Sequence, residues 1–244
     1  MRSLIGAWRL LRTVAHVLHG TWVAWREFGA ASEAVRCAHI QWWSAKLLHV
    51  LGVQLRPMGR FEAGPQLIVA NHISWLDIAA IHAVCPQARF VSKSDVKEWP
   101  LLGWLIGSAG TLFIERASKR DALRVVHQMA AALQAGDTVA VFPEGTTGTG
   151  HTLLPFHANL LQAVLPGATP VQPVVLRYAE PGHAVSPAVA FVGDTTLVGS
   201  IWSVVCARGL SVEVEVLPRQ PSEGLDRRSV SALVSEQIAA KLAR

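Results

Sequence analysis

Leu67-Ile68-Val69-Ala70-Asn71-His72-Ile73-Ser74-Trp75-Leu76-Asp77 decides how this chain is read. An apolar run of strand length breaks at once into polar residues, as happens at the carboxyl end of a strand buried in an α/β sheet, where such sheets place their sites. A second run, Thr138 to Phe142, breaks the same way into Pro143-Glu144-Gly145-Thr146. His72 and Asp77 are five positions apart, so on one regular helix they would stand about 140° apart. With His72 in the loop and Asp77 in the first turn of the next helix, the carboxylate can fold back onto the imidazole and orient it as a general base. The same residues also fit a capping box, with Ser74 as N-cap and Asp77 reaching back to its amide. Spacing alone leaves both readings open.

Outward from these loops, apolar runs alternate with helical patterns, the signature of an α/β domain. Strands are predicted near 66–71, 89–93, 110–115, 137–142, 170–178, 186–192 and 210–217. A helix is expected from Lys119 to Ala135, with a capping box at Ser118-Lys119-Arg120-Asp121 and Gly136 as its stop. Asn159 to Leu165 looks helical until Pro166-Gly167, and a final helix is expected over about 228–243. Strict alternation in Ser211-Val212-Glu213-Val214-Glu215-Val216 predicts a strand with one wet face near the sheet edge.

Charge is unevenly placed. Residues 1–60 hold eight Arg or Lys against Glu27 and Glu33, a balance of +6, while the other 184 residues balance at −1. The first sixty also hold five of the nine tryptophans, Trp8, Trp22, Trp25, Trp42 and Trp43. Tryptophan favours the membrane–water interface and basic groups favour anionic headgroups. Leu4, Trp8, Leu11, Ala15, Leu18, Trp22 and Trp25 recur at helical spacing, and Gly29-Ala30-Ala31-Ser32 then breaks the helix, with Ser32 placed to cap a second one through Leu51. The longest charge-free run of this segment, Thr13 to Trp25, is too short and too polar to span a bilayer. Two amphipathic helices lying in one leaflet, or two helices packed on the domain's own core, both satisfy the pattern. Basic residues diluted by bulky apolar ones argue against nucleic acid. Cys37, Cys85 and Cys206 have no metal-ligand spacing and suggest no disulfide framework.

Asn-His-x-Ser-x-x-Asp at 71–77 is followed by Phe90-Val91-Ser92-Lys93 with Trp99-Pro100-Leu101-Leu102-Gly103-Trp104, then by Gly110-Thr111-Leu112-Phe113-Ile114-Glu115-Arg116. Phe142-Pro143-Glu144-Gly145-Thr146 and Val171-Gln172-Pro173-Val174-Val175 come after. In that order these blocks resemble the PlsC-type glycerolipid acyltransferases, over residues 66–178. The resemblance implies a single mixed-sheet α/β acyltransferase domain (61–244) with flanking helices, behind an N-terminal membrane-associating two-helix segment (1–60). It also implies an enzyme that moves an acyl group from acyl-CoA or acyl carrier protein to the hydroxyl of a lysolipid, at the cytosolic face of the cytoplasmic membrane. The acceptor expected first is 1-acyl-sn-glycerol-3-phosphate, giving phosphatidic acid for phospholipid biosynthesis.

Within that reading His72 is the base and Asp77 its orienting carboxylate, as in a serine-protease triad but without a serine nucleophile. No Gly-x-Ser-x-Gly elbow exists in the chain, so direct transfer is expected rather than an acyl-enzyme. Arg116, ending an apolar strand, and Lys93, ending another, are expected to meet a substrate phosphate. Glu144 is expected to organise its loop or contact the acceptor, while the backbone at Gly145 and Thr146 faces the oxyanion or a phosphate. Many members have arginine after Phe-Pro-Glu-Gly-Thr, where this chain has Thr147. That departure leaves lyso-ornithine lipid, whose acceptor lacks a phosphate, as the alternative. His151 and His157 lack a third ligand at a recognisable spacing. No metal and no organic cofactor are expected; the acyl thioester is a substrate. A thioesterase using the same pair on water, and a non-catalytic lipid-binding module, are the readings from other classes.

Overall fold

In the computed structural model the described residues are 2–93, 102–114 and 119–243. Two long helices open the chain, α1 (Arg2–Glu27) and α2 (Glu33–Leu51). There follow β1 (Gln54–Met58), β2 (Gln66–Ala70), α3 (Leu76–His82), β3 (Ala88–Lys93), α4 (Leu102–Ser108) and β4 (Leu112–Ile114). The rest is α5 (Lys119–Gln134), β5 (Thr138–Val141), a 3-10 helix (Ala158–Gly167), β6 (Val171–Ala179), α6 (Leu197–Cys206), β7 (Ser211–Val216) and α7 (Arg227–Leu242).

The seven strands form one mixed sheet in the order β1-β7-β6-β2-β5-β3-β4, parallel throughout except where β7 runs against β6. β2 and β5 lie at the centre and every residue of each is buried, which is why both read as unbroken apolar runs rather than alternating ones. They are parallel neighbours in the register Val69 to Val141. Their carboxyl ends therefore emerge side by side, and the loops at Asn71 and Phe142 meet.

Two expectations from the sequence need correcting. Residues 186–192 form no strand. The Phe191 amide donates to the Ile73 carbonyl (3.2 Å) and the Phe191 carbonyl accepts from the Thr147 hydroxyl, so its polar groups serve the site loops instead of a ladder. β7 lies near the edge as expected, one strand in, but its alternate face is only partly open to water. Glu213 and Glu215 on that face pair with Arg177, and Glu215 also with Lys241. Burial of Glu215 works against its ionisation, but the two cations outweigh it and hold the carboxyl below its ordinary value. The outer strand on this side is β1, where the sequence reading expected no strand and placed residues 54–58 in the N-terminal segment. Gln54-Leu55-Arg56-Pro57-Met58 is mostly exposed and contains a proline, tolerated because an edge strand has one free side. The capping box proposed at Ser118 lies outside the described residues.

Ser32 caps α2, accepting from the Val35 amide at 3.4 Å, and Gly52 ends it at φ +87°. α2 then sinks Leu47, Leu48, Val50 and Leu51 into the same core as Ile68, Ala70 and Leu76. Four such side chains at ~1.5–3 kcal/mol each approach the ~5–15 kcal/mol margin of a whole domain. α2 thus belongs energetically to the domain it precedes.

α1 is built the other way round. Its large apolar residues Leu4, Trp8, Leu11, Leu18, Trp22 and Trp25 are all exposed. The buried side is Gly6, Thr13, His16, Gly20 and Ala24, small or polar residues that let the helix lie close. The Trp43 ring occupies the space a side chain at Gly20 would need. His16 Nε2 bonds to the Trp43 carbonyl (2.9 Å), and the Trp43 indole donates to the His16 carbonyl (3.3 Å). No helix among the described residues is long and apolar enough to cross a membrane.

Candidate active site

The loop after β2 turns on the Asp77 carboxylate. Oδ2 accepts from His72 Nδ1 at 2.8 Å, from the Ile73 amide at 2.6 Å and from the Ser74 amide at 2.9 Å. Oδ1 accepts from the Tyr178 hydroxyl at 2.8 Å. Of the capping box only the Asp77 bond to the Ser74 amide is present, the N-cap being Trp75 rather than Ser74, and the same fully buried carboxylate also holds the imidazole. Ser74, buried and bonded within this turn, does not offer its hydroxyl as a nucleophile.

A carboxylate facing Nδ1 can only accept, so Nδ1 keeps the hydrogen and Nε2 presents a lone pair. Among the described residues Nε2 has no hydrogen-bond partner, and the side chain is 20% exposed. The ring lies flat on Phe142, centroids 4.1 Å apart and planes 9° apart. An imidazolium formed during proton transfer would rest on that aromatic face.

The loop after β5 fixes the histidine's backbone from the other side. Glu144 Oε1 accepts from the His72 amide (2.6 Å) and Oε2 from the Leu154 amide (2.8 Å), while the Gly148 amide donates to the His72 carbonyl (2.7 Å). Burial raises the Glu144 carboxyl above its ordinary value, against the pull of those two amides. Glu144 thus braces the base within its own loop rather than reaching outward.

Gly145 sits at φ +72°, with its amide donating to the Phe142 carbonyl at 3.1 Å. That amide is spent inside the turn. Among the described residues the next two, on Thr146 and Thr147, donate to nothing, and Thr146 is exposed. Lys93 closes β3, but its side chain and the whole of Arg116 lie outside the described residues.

Two supporting residues escaped the sequence reading. Asn71 pairs with β6 as a strand would, its amide donating to the Leu176 carbonyl (3.0 Å) and its carbonyl oxygen accepting from the Leu176 amide (2.8 Å). Tyr178, the only tyrosine of the chain, is buried, and burial beside the Asp77 charge drives its phenol well above the ordinary value. It remains a donor. Nothing local marks it, since it stands in a run that reads as an ordinary buried strand.

Beside the loop lies an apolar cavity of about 430 Å³, lined among others by Leu10 and Val17 of α1, Trp43 of α2, Trp75, Ile78 and Ile201. The loop thus joins an oriented histidine, its Nε2 unpartnered among the described residues, through Trp75 to an apolar cavity that suits a hydrocarbon rather than a polar metabolite.

Comparison with known proteins agrees. The family described as Acyltransferase matches residues 52–177, and the chain belongs to it. A lyso-ornithine lipid O-acyltransferase of Pseudomonas aeruginosa is 36% identical over 241 residues, spanning 98% of this chain and 92% of that protein. A 1-acyl-sn-glycerol-3-phosphate acyltransferase of Neisseria gonorrhoeae is 38% identical over 180 residues, 72% of this chain and 69% of that one. The crystal structure of the 1-acyl-sn-glycerophosphate acyltransferase PlsC from Thermotoga maritima is similar in fold, with a TM-score of 0.72 at 20% identity over 100% of this chain and 99% of that one.

Proposed function

We propose that this enzyme esterifies the free hydroxyl of a membrane lysolipid with the acyl group of a thioester, acyl-CoA or acyl carrier protein, and that His72 and Asp77 perform the chemistry. The observation that supports this most is the His72 Nδ1–Asp77 Oδ2 bond of 2.8 Å, with Nε2 unpartnered among the described residues. Nε2 takes the hydroxyl proton as the acceptor oxygen attacks the thioester carbonyl. The tetrahedral oxyanion meets the Thr146 and Thr147 amides, collapses, and expels the thiolate, which recovers the proton from the imidazolium. Ester and free thiol are the products, and no residue is acylated on the way.

Two acceptors fit this chemistry, 1-acyl-sn-glycerol-3-phosphate and lyso-ornithine lipid. Lys93 and Arg116 favour the phosphate-bearing one by their residue type. Thr147 favours the other: where many relatives place an arginine it has a hydroxyl, and that hydroxyl is engaged by the Phe191 carbonyl. A relative 36% identical along almost the whole chain is a lyso-ornithine lipid enzyme, so we assign lyso-ornithine lipid as the preferred acceptor and lysophosphatidate as the second. Offering both, with labelled acyl-CoA and acyl carrier protein as donors, tests this. Labelled ornithine lipid as the main product is expected; label in phosphatidic acid alone would reverse the order.

The outward apolar face of α1, with Arg2 and Arg26 exposed near its two ends, supports peripheral attachment to the cytosolic leaflet of the cytoplasmic membrane, where a lysolipid and a soluble thioester meet.

A further inference from the structure

Trp75 stands between His72 and Asp77 in the catalytic loop, yet its side chain bonds outside that loop. The indole N–H donates to the Ser200 hydroxyl of α6 at 3.1 Å. Its neighbours are spent on the turn, since the Ser74 amide donates to Asp77 and Leu76 and Asp77 are fully buried. Among the described residues, Trp75 is the one member of the two loops 71–77 and 142–148 that lines the apolar cavity. From there the cavity follows a single stripe of α3. Ile78, Ala79 and His82 line it too, three, four and seven residues on, which is one face of a helix. Seven residues of helix carry that stripe about 10 Å from the catalytic loop.

α6 contributes Leu197 and Ile201 to the same cavity, and it is fastened at both ends. The Thr196 hydroxyl accepts from the Gly199 amide at 3.1 Å. At the other end Arg9 of α1 donates through Nη1 to the Val205 and Ala207 carbonyls at 3.0 and 2.6 Å, a cation where helix ends prefer one. Ser200 itself is 2% exposed. It is therefore a buried hook on a fixed helix, and its bond holds a half-buried indole in one rotamer. A tryptophan offers a broad apolar face and a single polar atom. Tying that atom to Ser200 decides where the face lies.

We propose that Trp75 determines which hydrocarbon chains the enzyme accepts, and that Ser200 is the residue that positions it. The bond keeps the indole as the cavity wall next to the catalytic loop, so a chain lying in the cavity passes it on the way to His72. Without the bond the ring is free to turn into the cavity and take space from the chain. The ligand class is a long unbranched acyl chain, carried either by the thioester or by the lysolipid. This rests on the reading that the enzyme transfers an acyl group between those two.

The experiment compares the full chain with Ser200→Ala, Trp75→Phe and the double variant. One arm offers octanoyl-CoA and palmitoyl-CoA with a single lyso-ornithine lipid; the other offers palmitoyl-CoA with lyso-ornithine lipids of short and long chain. Binding of the lysolipids, and of S-alkyl-CoA thioethers that cannot transfer their chain, is measured alongside by calorimetry. In the arm whose chain occupies the cavity, each single variant is expected to cut the long-over-short preference in kcat/KM about tenfold, mainly through KM, and the double variant no further, as for two partners in one bond. The other arm keeps its preference, which identifies the chain. Melting temperatures verify folding, and Trp75→Phe carries the test if Ser200→Ala does not fold. Wild-type preferences in both arms would make the bond a packing contact, and additive losses in the double variant would break the link between the two residues; either result overturns the proposal. If the wild-type protein transfers no acyl group, the acyl-transfer reading falls, and the binding measurements alone decide the role of Trp75.

Discussion

The Tyr178 hydroxyl donates to Asp77 Oδ1 at 2.8 Å across 101 residues of sequence, so the carboxylate that orients the base is itself oriented from β6. Tyr178→Phe removes that donor and leaves a buried oxygen short of one partner, which costs stability of about 1–3 kcal/mol. Asp77 then has one fewer partner fixing its position against the imidazole. Turnover should fall through kcat, with KM for the acceptor little changed. A phenylalanine variant with reduced stability and an unchanged kcat would make Tyr178 a packing residue only.

Glu144 donates nothing and accepts twice, from the His72 and Leu154 amides. In Glu144→Gln one of those amides must face an NH₂ group. The loop holding the base should shift, and displacements near 1 Å can cost about a hundredfold in rate. Steady-state kinetics should show the loss in kcat more than in KM for the acceptor, because Glu144 touches the base rather than the lipid.

Gly145 stands at φ +72°, with a Cβ there only 2.9 Å from His157 Cδ2. Gly145→Ala therefore suffers twice, from the left-handed backbone at roughly 1–2 kcal/mol and from the ring. Adding His157→Ala should restore part of the lost thermal stability and activity, but not all of it. Full recovery would show that the backbone angle is of no consequence.

His82 contributes a pH dependence to the fold between about 4 and 6.5. Burial lowers it from the ordinary 6.5 to about 4, opposed by its bond to the Ala88 carbonyl. Between those values the unfolded chain binds the proton and the folded one does not, so stability is full above about 6.5 and lost as pH falls toward 4. The loss from this residue is up to about 3 kcal/mol. His82→Gln keeps a donor to Ala88 and should flatten the denaturant midpoint over that range; an unchanged slope would assign the acid sensitivity elsewhere.

The legible part of this molecule is the part whose signal is local. β2 and β5 are buried on both faces, and the polar breaks after them place His72, Asp77 and Glu144 at the ends of strands. The fold brings the two loops together because those strands are parallel neighbours, which no local pattern states. β1 was missed because an exposed edge strand with Pro57 has a loop's composition, and 186–192 was overcalled because apolar content cannot tell a strand from a segment tied to a loop. Tyr178 was invisible because its partner is distant. The orientation of α1 had a signal, in Gly6, Thr13 and Gly20 at seven-residue spacing: small residues mark the side that packs, leaving the large ones outside.

The most direct test of the account is thiol release from acyl-CoA by wild type and by folded His72→Ala, each with and without lyso-ornithine lipid or lysophosphatidate in vesicles. The account requires release that depends on acceptor and matches ester formed, and a fall of several orders of magnitude in the alanine variant with the melting temperature little changed. Release without acceptor would describe a thioesterase, and a folded His72→Ala enzyme that still transfers at the wild-type rate would contradict the mechanism outright.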